Sequence, residues 1–170
     1  MSQKKCTKKS AGRPFDAGKT GHIVQAASDA FFRDGFAQTS IESIAAAANV
    51  SKVTVYNRFG TKEALFVATV ESECDLMRQG LAGAMDSGED IREQLTCFAM
   101  NMAKFLDRED ITRLEAHLAV QTQNNPELGQ LFLDAGPRRL HKLLTEKLDR
   151  AVARGALAID DTEITAEHFA

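Results

Sequence analysis

Residues 52–59 concentrate side chains that could recognise a nucleic acid. At 100° per residue, Val55 and Phe59 fall on one side of a helix, which must be its buried face. A helix this short is not stable alone, so neighbouring helices must hold it from behind. The opposite face and its edge carry Val53, Thr54, Tyr56, Asn57, Arg58 and Lys62. A DNA major groove admits such a helix and is flanked by phosphates, so we predict that this face contacts DNA.

Other patterns give little support for catalysis or metal binding. Gly18, Lys19 and Thr20 resemble the end of a phosphate-binding loop, but Arg13 occupies the position where that loop needs a glycine. No nucleophile, base and orienting group share a suitable spacing. The histidines, which lack close ligand spacing, are His22, His117, His141 and His168. We therefore predict no enzymatic activity, no cofactor and no metal site.

Charge is distributed unevenly along the 170 residues, although the net charge is only -3. Residues 1–62 hold ten basic and four acidic side chains, whereas residues 63–170 hold eleven basic and twenty acidic ones. This asymmetry favours a polyanionic partner for the N-terminal part alone.

The cysteine content and the distribution of apolar residues also indicate the cellular compartment of the protein. Cys6, Cys74 and Cys97 are odd in number and widely spaced, which fits a reducing cytoplasm better than a disulfide framework. No apolar run reaches the length of a membrane span, and no apolar segment follows the basic N-terminus. We expect a cytoplasmic protein without a membrane span or signal peptide.

Abundant alanine and few clustered β-branched residues predict an all-α chain. Gly35, Asn49 and Gly60 are expected to end the first three helices, and Phe36 is expected to fold back on Phe31. Thr39 with Glu42 is expected to form a capping box at the start of the second helix, and Ser51 is expected to cap the third. Gly83, Ser87 and Gly88 are expected to mark a loop after a fourth helix that ends near residue 80, and Pro137 is expected to kink or break a later helix. The predicted organisation is a mobile basic arm over residues 1–16, a helix-turn-helix domain over 17–62 and a helical regulatory domain over 63–170.

Residues 23–71 closely resemble the N-terminal domain of TetR-type transcriptional regulators. The resemblance includes the Phe-Gly ending of the first helix, the Thr-Ser start of the second, the segment VSKVTVYNRF and the following KEALF. Residues 117–170, with NPELGQLFLDAGPRRL and ARGALAIDD, resemble the regulatory domain of one branch of that family. The resemblance implies a homodimer that binds a palindromic operator, usually represses, and is released when a small molecule enters the larger helical domain.

The resemblance also implies roles for individual residues. Tyr56 and Lys62 would contact phosphates, and Ser40 and Thr54 would lie near the DNA backbone. Val53 and Asn57 would face bases, where Val53 could pack on a thymine methyl. Asn57 could read an adenine or only orient a phosphate, and the sequence leaves both open. The full set of candidate DNA contacts is Arg13, Ser40, Lys52, Val53, Thr54, Tyr56, Asn57, Arg58 and Lys62.

Arg13 belongs to a different element from the other candidates. The tripeptide Gly12-Arg13-Pro14 matches the core of minor-groove AT-hook segments. Its arginine could enter a narrow A·T-rich groove or make only diffuse phosphate contacts, and the sequence leaves both open.

Methionine and aromatic side chains downstream could line an effector cavity, although most belong to an ordinary core. The candidates are Met77, Phe98, Met102, Phe105, His117 and Phe132. The competing interpretation of His117 is a histidine that is hydrogen-bonded within the protein or half-exposed, and Cys97 is expected to be buried and inert. Two other functions remain open: a ligand-independent DNA-binding or partner-docking protein, which a very small cavity would favour, and a helical enzyme or ligand carrier.

Relatives of this kind normally continue through two further helices that pair across the dimer axis. Residues 163–170 match only the start of the first. We therefore expect either an incomplete regulatory domain, which exposes apolar area and associates weakly or abnormally, or a dimer that forms through other surfaces.

Overall fold

The computed structural model describes residues 17–85 and 90–169, and within these ranges every regular element is a helix, which confirms the all-α prediction. The helices are α1 (Ala17–Asp34), α2 (Ile41–Ala47), α3 (Lys52–Phe59), α4 (Lys62–Met85), α5 (Ile91–Leu106), α6 (Glu109–Gln121), α7 (Pro126–Ala135), α8 (Pro137–Ala153) and α9 (Thr162–Phe169). The predicted arm over residues 1–16, including Arg13, lies outside the described residues. None of the described helices is both long and apolar enough to cross a membrane.

The end of α1 packs into an aromatic cluster that joins the first domain to α4. Gly35 ends the helix with a φ of 81°, a conformation that glycine adopts without steric cost. The next residue, Phe36, stacks on Phe31 with ring centroids 5.6 Å apart, as the sequence predicts. Phe66 of α4 meets both rings edge to face, at 5.4 Å from Phe31 and 5.5 Å from Phe36.

The start of α2 differs from the predicted capping box. Thr39 is buried, and its hydroxyl donates to the carbonyl oxygen of Gly35 at 2.8 Å. The N-cap is Ser40, whose Oγ accepts from the backbone N–H of Ser43 at 3.0 Å. Glu42 instead pairs with Lys52. The capping-box prediction was wrong because the tertiary turn after α1 uses the threonine hydroxyl to satisfy a buried carbonyl, which leaves the cap to the next residue.

The turn between α2 and α3 forms as predicted. Asn49 has a φ of 52°, a left-handed conformation that asparagine tolerates. Ser51 caps α3, since its Oγ accepts from the backbone N–H of Thr54 at 3.1 Å. Gly60, with a φ of 78°, ends the helix, and Thr61 caps α4 through the N–H of Ala64 at 3.1 Å.

The second domain packs around α4, which contacts α1, α5 and α7. Helix α4 continues through Gly83 to Met85, so the predicted helix end near residue 80 was wrong, while the rest of the predicted loop, at Ser87 and Gly88, lies outside the described residues. A single helical glycine costs only about 1 kcal/mol, which the rest of a long helix can offset. Pro137 begins a new helix, α8, as the predicted break requires. The buried Gly136 just before it approaches Val70 of α4 so closely that a Cβ would lie 3.0 Å from Val70 Cγ1.

Candidate nucleic-acid interface and interior cavity

Helix α3 presents one buried and one exposed face, as its spacing predicts. Val55 is 1% exposed and Phe59 is half-buried. On the other face, Val53 is 64% exposed, Tyr56 is 42% exposed and Asn57 is also exposed. The exposed face combines an apolar group with hydrogen-bonding groups, which is the chemistry needed to contact base edges and phosphates.

Two basic side chains at the edge of α3 are held by neighbouring helices. Lys52 forms an exposed ion pair with Glu42 of α2, and this hydrogen bond raises the pKa of Lys52 and lowers the pKa of Glu42. The Lys52 ammonium also lies 5.7 Å from the ring centre of Tyr56. Arg58 donates a hydrogen bond to the hydroxyl of Thr20 on α1. These contacts link the edge of α3 to α1 and α2, while the buried Val55 packs the helix into the core.

Lys62 lies at the first position of α4, beside the end of α3. Its Nζ is 4.4 Å from the ring centre of Phe36. Partial burial lowers the pKa of Lys62. The ammonium is therefore placed by the same aromatic cluster that anchors the end of α1.

The hydroxyls of Ser40 and Thr54 already have partners within the protein. Ser40 Oγ caps α2, and Thr54 Oγ1 shares a 2.8 Å hydrogen bond with Ser51 Oγ. Ser40 is exposed and Thr54 is half-buried. A contact of either residue with DNA would use the hydrogen-bonding positions of its hydroxyl that these bonds within the protein leave unoccupied.

A cavity of about 710 Å³ lies between the end of α1 and helices α4 to α9. Its wall includes the aromatic rings of Phe32, Phe105 and Phe132, from α1, α5 and α7 respectively. Helix α4 contributes Val70 and Glu73 to the same wall. The cavity is therefore bounded partly by α4, which also contacts α3, and by α1, to which Arg58 of α3 donates a hydrogen bond.

The predicted ligand residues divide into two groups. Met102, Phe105 and Phe132 line the cavity. Met77 and Phe98 lie in the buried core, away from its wall. His117 is half-buried against the end of α1, where its Cγ is 2.9 Å from the position of a Cβ built on Gly35. The prediction that these last three contact a ligand has no support from their positions.

The cysteines differ from each other in environment. Burial raises the pKa of the Cys74 thiol to about 11, and this residue forms part of the cavity wall. Cys97 is half-buried, not buried as predicted, and its sulfur accepts from Asn101 Nδ2 at 3.5 Å. Within the described part of the chain, no group of three His, Cys, Asp or Glu side chains could hold a metal ion.

A polar bridge, which sequence spacing did not reveal, connects the cavity wall with α1. Glu73 of α4 accepts from Arg108 Nη1 at 2.8 Å and from the buried Ser28 Oγ of α1 at 3.3 Å. The Arg108 guanidinium lies 5.4 Å from the ring centre of Phe105 and also pairs with Asp110. Because Glu73 and Phe105 both line the cavity, a bound molecule would touch a network that ends on the first helix of the N-terminal domain.

Two family models match most of the chain. The model for bacterial regulatory proteins of the tetR family matches residues 23–69. The model for the C-terminal domain of AefR-like transcriptional repressors matches residues 93–170. The two matches cover the helix-turn-helix and the cavity-bearing domain respectively.

Individual relatives agree with these models. YhgD of Bacillus subtilis (strain 168), an uncharacterised HTH-type transcriptional regulator, is 26% identical over 148 residues, which cover 85% of this chain and 74% of YhgD. The flavonoid-responsive regulator FrrA has a similar structure, with a TM-score of 0.67 and 30% identity over 89% of this chain and 77% of FrrA. A protein of Mesorhizobium loti MAFF303099 described as a TetR-family transcriptional regulator has a TM-score of 0.71 and 28% identity, with the same coverage of 89% and 77%. The helix-turn-helix, the family models and these relatives together show that the chain is a DNA-binding transcriptional regulator of the TetR family.

Proposed function

We propose that the protein is a homodimeric repressor that binds a palindromic operator through α3 and is released by a small, largely apolar effector. The observation that carries the proposal is the shared wall of the cavity, in which Phe32 of α1 and Val70 and Glu73 of α4 face the same space. An occupant of this space would displace α4, which contacts α3, and α1, which is joined to α3 by the hydrogen bond from Arg58 to Thr20.

The size of the cavity favours control by a ligand over ligand-independent DNA binding. Its volume of about 710 Å³ falls within the range of about 300–1,000 Å³ that small-molecule sites occupy. The similar protein FrrA is described as flavonoid-responsive, which supports small-molecule control in a chain of this fold.

Release would follow from a change in the separation of two α3 helices. Helix-turn-helix dimers read half-sites about 34 Å apart or a multiple of that distance, so a shift of a few ångströms misaligns one helix. Helix α4 is the element proposed to transmit the shift, since it begins at Lys62 beside α3 and continues into the cavity wall.

DNA binding can be tested by fluorescence anisotropy with the DNA upstream of the protein's own gene. We expect tight operator binding by two copies of the chain and weaker binding by Tyr56→Phe and Lys62→Ala. Sedimentation of the DNA-free protein at several concentrations should show a weak dimer whose fraction rises with protein concentration, and a tight dimer would contradict the weak association expected above. Failure to bind duplex of any sequence at low salt would reject DNA recognition through α3.

Effector control can be tested with a matched pair of variants on α5. Met102 is half-buried in the cavity wall, whereas Met100 is 56% exposed and outside it. Compounds that raise the melting temperature of the wild type should release it from the operator. Met102→Trp should retain operator binding and lose the response, and Met100→Trp should retain both. A compound that binds in the cavity without changing operator affinity would reject the release mechanism.

A further inference from the structure

An ion pair joins α2 to α3 on the exposed side of the helix-turn-helix. Glu42 is the second residue of α2, and Lys52 is the first residue of α3. Their side chains are 60% and 51% exposed respectively, so the pair lies at the protein surface. The Lys52 ammonium is also 5.7 Å from the ring centre of Tyr56, which places the pair beside the face proposed to contact DNA.

This pair carries no net charge, although Lys52 is a candidate DNA contact. The Glu42 carboxylate accepts a hydrogen bond from the Lys52 ammonium. That bond raises the pKa of Lys52 and lowers the pKa of Glu42, so both groups are ionised near neutral pH. A lysine adds to DNA affinity by neutralising a phosphate and releasing its counterions. Lys52 can do so only by leaving Glu42, whose carboxylate then faces the same phosphates.

Lys62, which follows the other end of α3, has a different environment. Its ammonium lies 4.4 Å from the ring centre of Phe36. The ring attracts a cation through its electron-rich face but carries no net charge, so this contact leaves the charge of Lys62 in place. The two lysines that flank α3 therefore differ in the charge that they offer to a phosphate.

We infer that Glu42 limits the affinity of α3 for DNA by neutralising Lys52. The inference rests on the proposed contact of α3 with DNA, and it adds to that contact a residue that opposes binding. The limit applies to every duplex, because phosphates flank the groove at any sequence. Sequence preference is left to base contacts, for which Val53 and Asn57 are the candidates.

The test is a cycle of Glu42→Gln and Lys52→Met, measured by anisotropy on a random duplex and on the DNA upstream of the protein's own gene. E42Q should bind both duplexes more tightly, by up to about fivefold for each copy of α3 on the DNA. Its slope of log affinity against log salt should be steeper by up to about 0.9 per copy. K52M should bind both duplexes more weakly, because it leaves the carboxylate without its lysine.

The double variant E42Q/K52M distinguishes neutralisation from a direct phosphate contact. It should return to about the affinity and salt slope of the wild type, because one neutral pair replaces another. Binding as weak as that of K52M alone would overturn the inference, since Lys52 would then contact a phosphate in the wild type despite Glu42. An E42Q variant that gains no affinity, or gains it for one duplex alone, would also overturn it.

The matched control is E146Q, which removes a carboxylate from an exposed ion pair with Arg150 on α8. It changes the net charge by the same amount as E42Q and should keep the affinity and salt slope of the wild type. An equal gain would overturn the inference, because overall charge alone would explain the effect. Failure of the wild type to bind any duplex at low salt has a different meaning: it would reject the proposed DNA contact through α3, and the inference with it.

Discussion

Two valines on α3 provide a matched test of how this short helix is held. Val55 is 1% exposed and Val53 is 64% exposed, so the same change to alanine removes buried methyl groups from one face and solvated ones from the other. Val55→Ala should lower the free energy of unfolding by about 2 kcal/mol, from two methyl groups at about 0.8 kcal/mol each and a residual cavity. Val53→Ala should stay within about 0.5 kcal/mol.

The comparison also controls for helix propensity, because both variants gain the same preference of alanine for a helix. Urea unfolding followed by circular dichroism measures the difference. A loss of about 2 kcal/mol corresponds to a melting temperature lower by about 4–8 °C for a chain of this size. DNA titrations should separate the pair further: Val53→Ala should lose discrimination between operator and random duplex, whereas Val55→Ala should weaken binding to both. Equal stability losses in the two variants would refute the assignment of faces on α3.

Three further outcomes are expected. Lys62→Ala should reduce the slope of log affinity against log salt by about 0.9, the effect of one lost phosphate contact, and Lys62→Arg should restore it in anisotropy titrations. Ser40→Ala should cost about 1 kcal/mol in urea unfolding and Glu42→Ala clearly less, whereas a capping box between Thr39 and Glu42 would make the loss at Glu42 the larger one. At pH 8, iodoacetamide should modify Cys97 well before Cys74, as followed by mass spectrometry. Because the pKa of Cys74 is about 11, only about one in a thousand of its side chains is a thiolate at this pH. Modification of Cys74 before Cys97 would contradict the burial of Cys74.

Local sequence patterns predicted the helix-turn-helix in detail. Gly35, Asn49 and Gly60 end α1, α2 and α3 respectively, and Ser51 caps α3. These outcomes were predictable because a helix end depends on the conformational freedom and hydrogen-bonding groups of residues within one turn. The orientation of α3 was predictable for a related reason, since periodic spacing determines which side chains share a face.

Features that depend on contacts between distant residues were not predictable in the same way. The hydroxyl of Thr39 was expected to cap α2, but it donates to the carbonyl oxygen of Gly35 in a turn whose shape is set by the packing of Phe36. Gly83 resembles a loop residue in isolation, yet it continues α4. In both cases the local preference was weaker than the packing or hydrogen bonding of the whole domain.

The sequence by itself determined the helical class, the helix-turn-helix and the outward face of α3, because each follows from short-range periodicity and end signals. Tertiary structure alone decided which apolar side chains line the cavity and which form the core: Met102 lines it, while Phe98, on the same helix, is buried away from it. It also decided the bridge from Ser28 through Glu73 to Arg108, whose members are 45 and 35 residues apart. Such contacts depend on how helices pack against one another, and no spacing within a single helix encodes that.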